Sequence, residues 1–369
     1  MDAFTERVMR KNKSNQSRLP LTISAQYGLV DQITFFNKVV ASTDLSNYYL
    51  LKKGEFAYNK SYSSDYPWGA IKRLDNYDQG ALSSLYICFA PQDNVVSDFI
   101  LQYFESPKWH KGISEIAVEG ARNHGLLNVA VQDFFHTYHY VPKDKKEQIK
   151  ISKLLMLLDE RISTQNKIIE DLKKLKSAII EKLYSEIQGK EYSYRQLFEI
   201  INERNNRLEF SNVLSASQER GMVSREDLNL DIKFERSNIN TYKIVRNGDY
   251  VIHLRSFQGG FAFSDIVGVC SPAYTIMRPK DLLEYGYLSY YFTSRQFIKS
   301  LVIVTYGIRD GRSINVDEWF DMKIVIPTKE QQRHIVRTIK VFENKIENEE
   351  MYASCLLKQK QHLLRQMFI

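Results

Sequence analysis

The sequence repeats itself once along its length, and a duplication of this size restricts the chain to architectures assembled from two like halves. Leu21-Thr22-Ile23-Ser24-Ala25-Gln26-Tyr27-Gly28-Leu29-Val30 aligns with Leu214-Ser215-Ala216-Ser217-Gln218-Glu219-Arg220-Gly221-Met222-Val223 at an offset of 193. Tyr48 through Tyr58, turning at Lys53-Gly54, aligns with Tyr242 through Ile252, turning at Asn247-Gly248, at 194. Tyr103-Phe104-Glu105-Ser106 then matches Tyr291-Phe292-Thr293-Ser294, and Gly120-Ala121-Arg122-Asn123 matches Gly307-Ile308-Arg309-Asp310, at 188 and 187. Pro142 with Glu147-Gln148 matches Pro327 with Glu330-Gln331, at 185 and 183. The order is kept throughout, so the drift comes from small loop insertions.

Each copy divides into a lobe and a long helix, which predicts four segments: a first lobe over 1–141, a central helix over 142–188, a second lobe over 189–326 and a C-terminal helix over 327–369. Short β-branched and aromatic runs meeting at Gly54, Tyr49-Leu50-Leu51 and Phe56-Ala57-Tyr58, read as a hairpin. An amphipathic helix beginning near Ser97-Asp98 buries Phe99, Ile100, Tyr103 and Phe104, and its copy carries Leu288, Tyr291, Phe292 and Phe297. The lobes are α+β. Phe134 to Tyr140 reads as a strand, with His136 and His139 as core or edge residues rather than ligands or bases.

Each long helix follows a proline, which suits a helix start because proline lacks the amide that would be orphaned there. Steps of four and three from Ile151 reach Leu155, Leu158, Ile162, Gln165, Ile169, Leu172, Lys176, Ile179 and Leu183. The same steps from Ile335 reach Ile339, Phe342, Ile346, Glu349, Ala353, Leu356, Lys360, Leu363 and Met367. Both are heptad seams. Their polar breaks, Gln165 with Glu349 and Lys176 with Lys360, either fix register or lie where the helices splay. At 1.5 Å per residue, Glu147 to Tyr184 spans roughly 57 Å. The expected arrangement is two similar lobes joined by two antiparallel, coiled-coil-like helices related by a pseudo-two-fold.

Composition sets limits on chemistry. With 369 residues, 43% apolar and 26% charged, the chain can bury real cores. No run approaches eighteen apolar residues and the first twenty are charged from Glu6 onward, so neither a membrane span nor a secretory leader is expected, and the cytoplasm is the expected location. Cys88, Cys270 and Cys355 have no metal-ligand spacing and are expected to be buried reduced thiols. The net charge of +7 allows a nucleic-acid partner without proving one, and the two helical segments carry +3 each. No Walker A loop, His-Glu-x-x-His or Asn/Asp-Pro-Pro-Tyr/Phe tetrapeptide occurs. A non-catalytic binding and scaffolding subunit is expected, with no metal or cofactor of its own.

Laid out this way, the sequence resembles the specificity (S) subunit of type I restriction-modification systems over nearly the whole chain. The marks are Pro327-Thr328-Lys329-Glu330-Gln331 and the looser Pro142 to Gln148 at the helix starts, Leu157-Leu158-Asp159-Glu160-Arg161-Ile162, and the closing runs Leu172 to Lys176 and Leu363 to Phe368. The resemblance implies that the lobes are target-recognition domains. It further implies that the helices dock modification (methyltransferase) subunits, two per chain, and through them restriction subunits. S-adenosylmethionine, ATP and Mg would belong to those partners, whose complex would be an adenine methyltransferase and, with restriction subunits, an ATP-dependent endonuclease. The front departs from the pattern: Phe4 matches Phe198, so Met1 already stands within the first lobe.

Two such lobes would each take a major groove of double-stranded DNA about one turn (34 to 36 Å) apart, giving a bipartite target with an unread gap. Base edges there are read by Arg, Lys, Asn, Gln and Ser on loops. The candidates are Asn59, Lys60, Ser61 and Ser63 in the loop ending at Tyr66-Pro67-Trp68, and Arg255, Ser256 and Gln258 in the second copy. The loops differ inside a common frame, which implies an asymmetric target. A second element is Gly-x-Arg, with Arg122 and Asn123 in one lobe and Arg309, Arg312 and Ser313 in the other. Glycine lets backbone approach a phosphate and arginine supplies a fork of donors, although such an arginine also serves to pair with a carboxylate and hold a turn. Tyr62, Tyr66 and Trp68 suit core packing as well as base stacking. The packing residues expected between helices are Ile151, Leu155, Leu158, Ile162, Ile169, Leu172, Ile335, Ile339, Phe342, Ile346, Leu356 and Leu363. A coiled-coil adaptor binding proteins alone, and the recognition subunit of a related two-part restriction enzyme, remain as alternatives.

Overall fold

The computed structural model describes residues 1–38, 41–117, 125–217, 220–228, 236–253, 260–306 and 313–368. They fall into two units, Met1–Asn166 with Met351–Ile369, and Lys167–Glu350. In the first unit the strands are β1 (Thr5–Arg7), β2 (Pro20–Ser24), β3 (Gly28–Asp31), β4 (Tyr49–Lys52), β5 (Phe56–Asn59), β6 (Ala70–Arg73), β7 (Gln79–Leu82) and β8 (Ile87–Pro91). They form two four-stranded sheets, β1-β8-β5-β6 and β3-β2-β7-β4. Helices α1 (Gln32–Phe36), α2 (Ser97–Glu105), α3 (His110–Ile116) and α4 (Val131–His136) complete the lobe. Phe56, Tyr58, Phe89, Phe99, Trp109 and Phe134 fill the core between the first sheet and the helices.

The hairpin expected around Gly54 does not form: β4 pairs with β7, whereas β5 pairs with β6 and β8. Both runs are apolar on two faces and each belongs to a different sheet, so the turn hands the chain from one sheet to the other. Gly54 takes φ +86° there, where a Cβ would be strained. The Phe134 to Tyr140 run does not form the expected strand: Val131–His136 closes into α4, extended backbone resumes at Thr137, and no strand is assigned after it.

The second unit holds β9 (Lys190–Ser193), α6 (Tyr194–Leu197), β10 (Phe198–Ile201), β11 (Leu214–Ser217), β12 (Gly221–Ser224), β13 (Lys243–Val245), β14 (Tyr250–Ile252), β15 (Phe261–Phe263), β16 (Gly268–Cys270) and β17 (Thr275–Pro279). It continues through α7 (Tyr287–Tyr291), α8 (Arg295–Ser300), β18 (Thr305–Tyr306), β19 (Ser313–Ile314), α9 (Val316–Asp321) and β20 (Lys323–Ile326). The sheet order β10-β17-β14-β15 reproduces β1-β8-β5-β6. The pairs β12-β11 and β16-β13, joined by a parallel bridge between Val213 and Val269, reproduce β3-β2-β7-β4, whose inner contact β2-β7 is likewise parallel. The helix expected through Leu288 and Phe297 is split in two because Ser294 accepts from the Phe297 amide and starts α8 afresh, yet all four expected residues are buried.

The duplication reaches single side chains. Asn12 is buried and its carboxamide accepts from Ser17 N at 2.9 Å while donating to Ser17 O and Leu45 O. Asn205, also buried, accepts from Phe210 N at 3.2 Å and donates to Phe210 O and Ile239 O. Both asparagines tie two loops to a strand end. Glu55 and Asp249 close the paired turns, accepting from Lys52 N and Arg246 N and holding Arg10 and Arg278.

The long helices are α5 (Lys145–Ser185) and α10 (Lys329–Gln366), and each contributes to both units. In the first unit they run antiparallel: Leu155 shares a core with Leu364 and Phe368, and Leu158 and Ile162 pack with Leu356. In the second unit Ile180 and Tyr184 share a core with Ile335 and Ile339. Of the expected seam, Leu155, Leu158, Ile162, Ile335, Ile339, Ile346 and Leu356 are buried, and Ile151, Ile169, Leu172, Phe342 and Leu363 are half-buried. Near each helix end the buried positions move one residue on, to Ile180 and Tyr184 and to Leu364 and Phe368, because a 3.6-residue turn drifts from a 3.5-residue repeat.

The lysines breaking the seams are paired. Lys360 bonds to Asp159 Oδ1, whose other oxygen accepts from Gln102 of α2 at 2.9 Å. Lys176 lies 3.4 Å from Glu343 Oε1, whose other oxygen accepts from Tyr290 of α7 at 2.8 Å. The same three-way tie occurs in each unit and binds both long helices to the lobe. Lys360→Met, which keeps the apolar stem and deletes the charge, is expected to cost about 1 kcal/mol of unit-one stability in urea unfolding, since the pair is only partly exposed.

His139 lies in the unit-one core between Tyr103 OH at 2.8 Å and Thr137 Oγ1 at 2.7 Å. Burial and the nearby Met1 ammonium depress its pKa from 6.5 to about 4. Unfolding therefore takes up a proton between these values, so this contribution is complete above about pH 6.5 and is lost as pH falls toward 4. Thermal melts of the first unit are expected to drop across this window, and less so in His139→Gln.

Candidate nucleic-acid interface

The hairpin that does form in the first lobe, β5-β6, carries the proposed reading loop as its connection. Asn59 Oδ1 accepts from Ser61 N at 3.0 Å, and Ser63 and Tyr66 exchange backbone hydrogen bonds at 3.1 and 3.2 Å. Gly69 ends the loop at φ +77°, where an added Cβ would fall 2.1 Å from Asn59 O. The loop is thus closed by its own backbone. Asn59 and Lys60 are half-buried, Ser61 and Ser63 are exposed, and the Ser63 hydroxyl also accepts from Tyr66 N. Trp68 and Tyr66 pack against the lobe's two cores, leaving Tyr62 as the exposed ring.

In this lobe the loop is laced to residues 125–127, which follow the second expected element in sequence. Tyr62 N donates to Gly125 O at 3.0 Å, Leu127 N donates to Lys60 O at 2.8 Å, and Ser61 bridges to Leu126. This lacing sets the loop beside the segment that follows Arg122 and Asn123 in sequence, which themselves lie outside the described residues. In the second lobe Arg255, Ser256, Gln258, Arg309 and Arg312 also lie outside them. Their flanks are described: His253 N donates to Gly260 O at 2.6 Å at the base of the β14-β15 connection. Thr305 pairs with Ile314 and Tyr306 with Ser313, so a short ribbon carries the second Gly-x-Arg segment, and only the backbone of Ser313 is described.

A feature that sequence reasoning passed over adjoins the first loop. Tyr27, Ile33, Phe35 and Phe36 are exposed, with Tyr27 on Phe35 and Phe35 on Phe36 edge to face. Tyr66 OH reaches Ala25 O at 3.4 Å, connecting this patch to the loop. The only available signal was the aromatic cluster itself, which reads equally as core.

Among the described residues no group of three or more His, Cys, Asp or Glu side chains is placed to hold a metal ion. Cys88 and Cys270 are buried, with thiols pushed up to about 12 mainly by desolvation, whereas Cys355 is exposed, contrary to expectation. No helix among them is long and apolar enough to cross a membrane.

No protein-family model matches the sequence, and no curated protein matches it. Solved structures do. A chain from a structure addressing complex assembly and conformational transition of the type I R-M system aligns with a TM-score of 0.61 at 14% identity, covering 98% of this chain and 94% of that one. The S subunit of the type I restriction-modification system from M. genitalium aligns at 0.51 with 13% identity, covering 100% and 94%. The fold of this chain is that of these structures over nearly its full length.

Proposed function

We propose that the chain is the DNA sequence-specificity subunit of a type I restriction-modification complex. Each lobe reads one half of an asymmetric, bipartite target in double-stranded DNA. The observation that carries this reading is the pairing of like frames with unlike loops: strand order, asparagine ties and helix braces recur, while the connections of β5-β6 and β14-β15 differ in length and composition. A duplicated frame is what two separate readings of one duplex require, and differing loops make the readings different. The exposed Tyr27, Phe35 and Phe36 add apolar surface of the kind that meets thymine methyl groups. The long helices would dock two methyltransferase subunits and, through them, restriction subunits in the cytoplasm. Base methylation and cleavage, with S-adenosylmethionine, ATP and Mg, would reside in those partners, since a base must leave the stack to reach a methyltransferase site.

The test is a gel shift of the purified chain with the methyltransferase encoded beside it, at two salt concentrations. With six to ten phosphate contacts the affinity is expected to fall by about 10³ to 10⁵ between 50 and 200 mM salt. No shift at either concentration would leave a protein-only adaptor. Arg309→Ala is expected to weaken specific binding by about 1 to 3 kcal/mol with the assembly intact. Methylome sequencing of cells with and without the chain would return the motif, and cleavage beside the site would point to the two-part enzyme.

A further inference from the structure

The two lobes share a frame but differ beside their reading loops. In the first, a cleft of 240 Å³ opens between the β5-β6 connection, the turn after α2 and the last turns of α10, its walls including Asp65, Lys72, Glu105, Pro107, His110 and Arg365. Small-molecule sites usually measure about 300 to 1,000 Å³, so this one suits a single group of a larger ligand. Most of its charges are already answered. Lys72 lies 2.6 Å from Glu105 Oε1, and burial holds His110 below its ordinary pKa, so the imidazole stays neutral near neutral pH. Asp65 is exposed on the loop itself, where a carboxylate can meet the amino group of cytosine. Arg365 is exposed on α10, and among the described residues its guanidinium has no ion pair or hydrogen bond.

A cation in the last turn of a helix also suits the helix dipole. The second copy shows what the frame itself asks of this place. Leu364 and Phe368 correspond to Ile180 and Tyr184, which sets Arg365 against Glu181. Tyr103 to Ser106 corresponds to Tyr291 to Ser294, which sets Pro107 against Arg295. In the second lobe Glu181 Oε1 accepts from Arg295 N and holds the start of α8. Proline has no amide to donate, so the first lobe lacks both halves of that bond and carries a cation where the acid stands. The strand pairs set Lys72, opposite Ala57, against Ala262, opposite Val251. The cleft's charged groups are therefore peculiar to the first lobe, and Arg365 braces nothing in it.

We propose that Arg365 binds a backbone phosphate of the DNA strand that flanks the first reading loop. This rests on the functional reading above and deepens it by naming where the duplex is held. A loop that enters the major groove, about 12 Å wide, has a phosphate strand on each side of it. The cleft lies directly beside the loop, since Asp65, Tyr66 and Gly69 form one of its walls. Arginine offers a phosphate a planar fork of donors, and one phosphate is a group of the size the cleft admits. The second lobe has Glu181 at the matching place, which repels a phosphate, so the backbone is gripped here by the first lobe alone. Such a contact fixes register and carries no sequence information of its own.

The test measures DNA affinity of the full chain with its methyltransferase across a salt series, on a duplex carrying the methylated motif and on one of equal length without it. Arg365→Gln is expected to weaken binding to both duplexes by the same factor, about tenfold at 50 mM salt, and to reduce the slope of log affinity against log salt by about 1. Arg365→Lys keeps the charge and is expected to keep the slope. A helix-end role alone would leave the slope unmoved. An unchanged slope in Arg365→Gln, or a slope lost in Arg365→Lys as well, overturns the proposal. A loss confined to the motif duplex makes Arg365 a base reader, and a loss of methyltransferase binding makes it a protein contact; either result also overturns it. Failure of the unaltered complex to bind either duplex is a different result and overturns the functional reading itself.

Discussion

Ile339→Ala is expected to lower the unfolding free energy of the second unit by about 3 to 5 kcal/mol, and Leu155→Ala to do the same in the first. Both side chains are fully buried, Ile339 among Ile180, Tyr184 and Ile335, and Leu155 among Leu364, Phe368 and the lobe aromatics. Each position joins a long helix to a lobe, so truncation opens a cavity lined by aromatic rings that cannot collapse into it. Chemical unfolding of the full chain, followed with a probe in each unit, should shift the transition of the altered unit, because a chain of two units need not unfold in one step. If both substitutions left both transitions within about 0.5 kcal/mol, the helices would not be integral to the lobe cores.

The second large effect is expected at the buried asparagines. Asn205→Ala deletes one acceptor and two donated bonds, leaving Phe210 N and the carbonyls of Phe210 and Ile239 to find other partners. Unsatisfied buried groups cost about 1 to 3 kcal/mol each, and water recovers part of this, so a loss of about 2 to 4 kcal/mol is expected. At about 2 to 4 °C per kcal/mol for a body of this size, the melting temperature of the second unit should fall by about 4 to 16 °C. Asn12→Ala should reproduce the effect in the first unit. A change confined to one of the two would show that the matching hydrogen bonds are not equivalent in energy.

Much of this was legible in the sequence because a duplication supplies its own control. The heptad steps from Ile151 and Ile335 located both long helices, and Ser97-Asp98 located the start of α2. The Gly54 hairpin was misread because a tight turn and two apolar runs look alike whether the runs pair or diverge into separate sheets; only the distant partners β7 and β8 decide. The proline-based alignment likewise set Gln148 against Gln331. The structure pairs Gln148, which accepts from Val96 N and donates to Pro142 O, with Gln332, which accepts from Glu284 N and donates to Pro327 O. Gln331 instead accepts from Thr328 N at the helix start. A one-residue slip at a helix start turns a buried clasp into a surface cap, and composition cannot register it. In the candidate interface, the meeting of the Asn59 loop with residues 125–127 depends on backbone pairing across a sequence gap, which no local pattern announces.

The residues that brace the frame, Asn12, Asn205, Glu55, Asp249, Gln148, Gln332 and the lysine-acid ties, all lie outside the connections of β5-β6 and β14-β15. Apart from Tyr66, Trp68 and Gly69, which anchor the first of them, those connections can therefore be rewritten singly while these braces are left untouched. An ancestor with one copy, doubled and fused, would gain the freedom to revise half of its preference at a time. An assembly of identical chains, in which every change appears on both sides at once, has no such freedom.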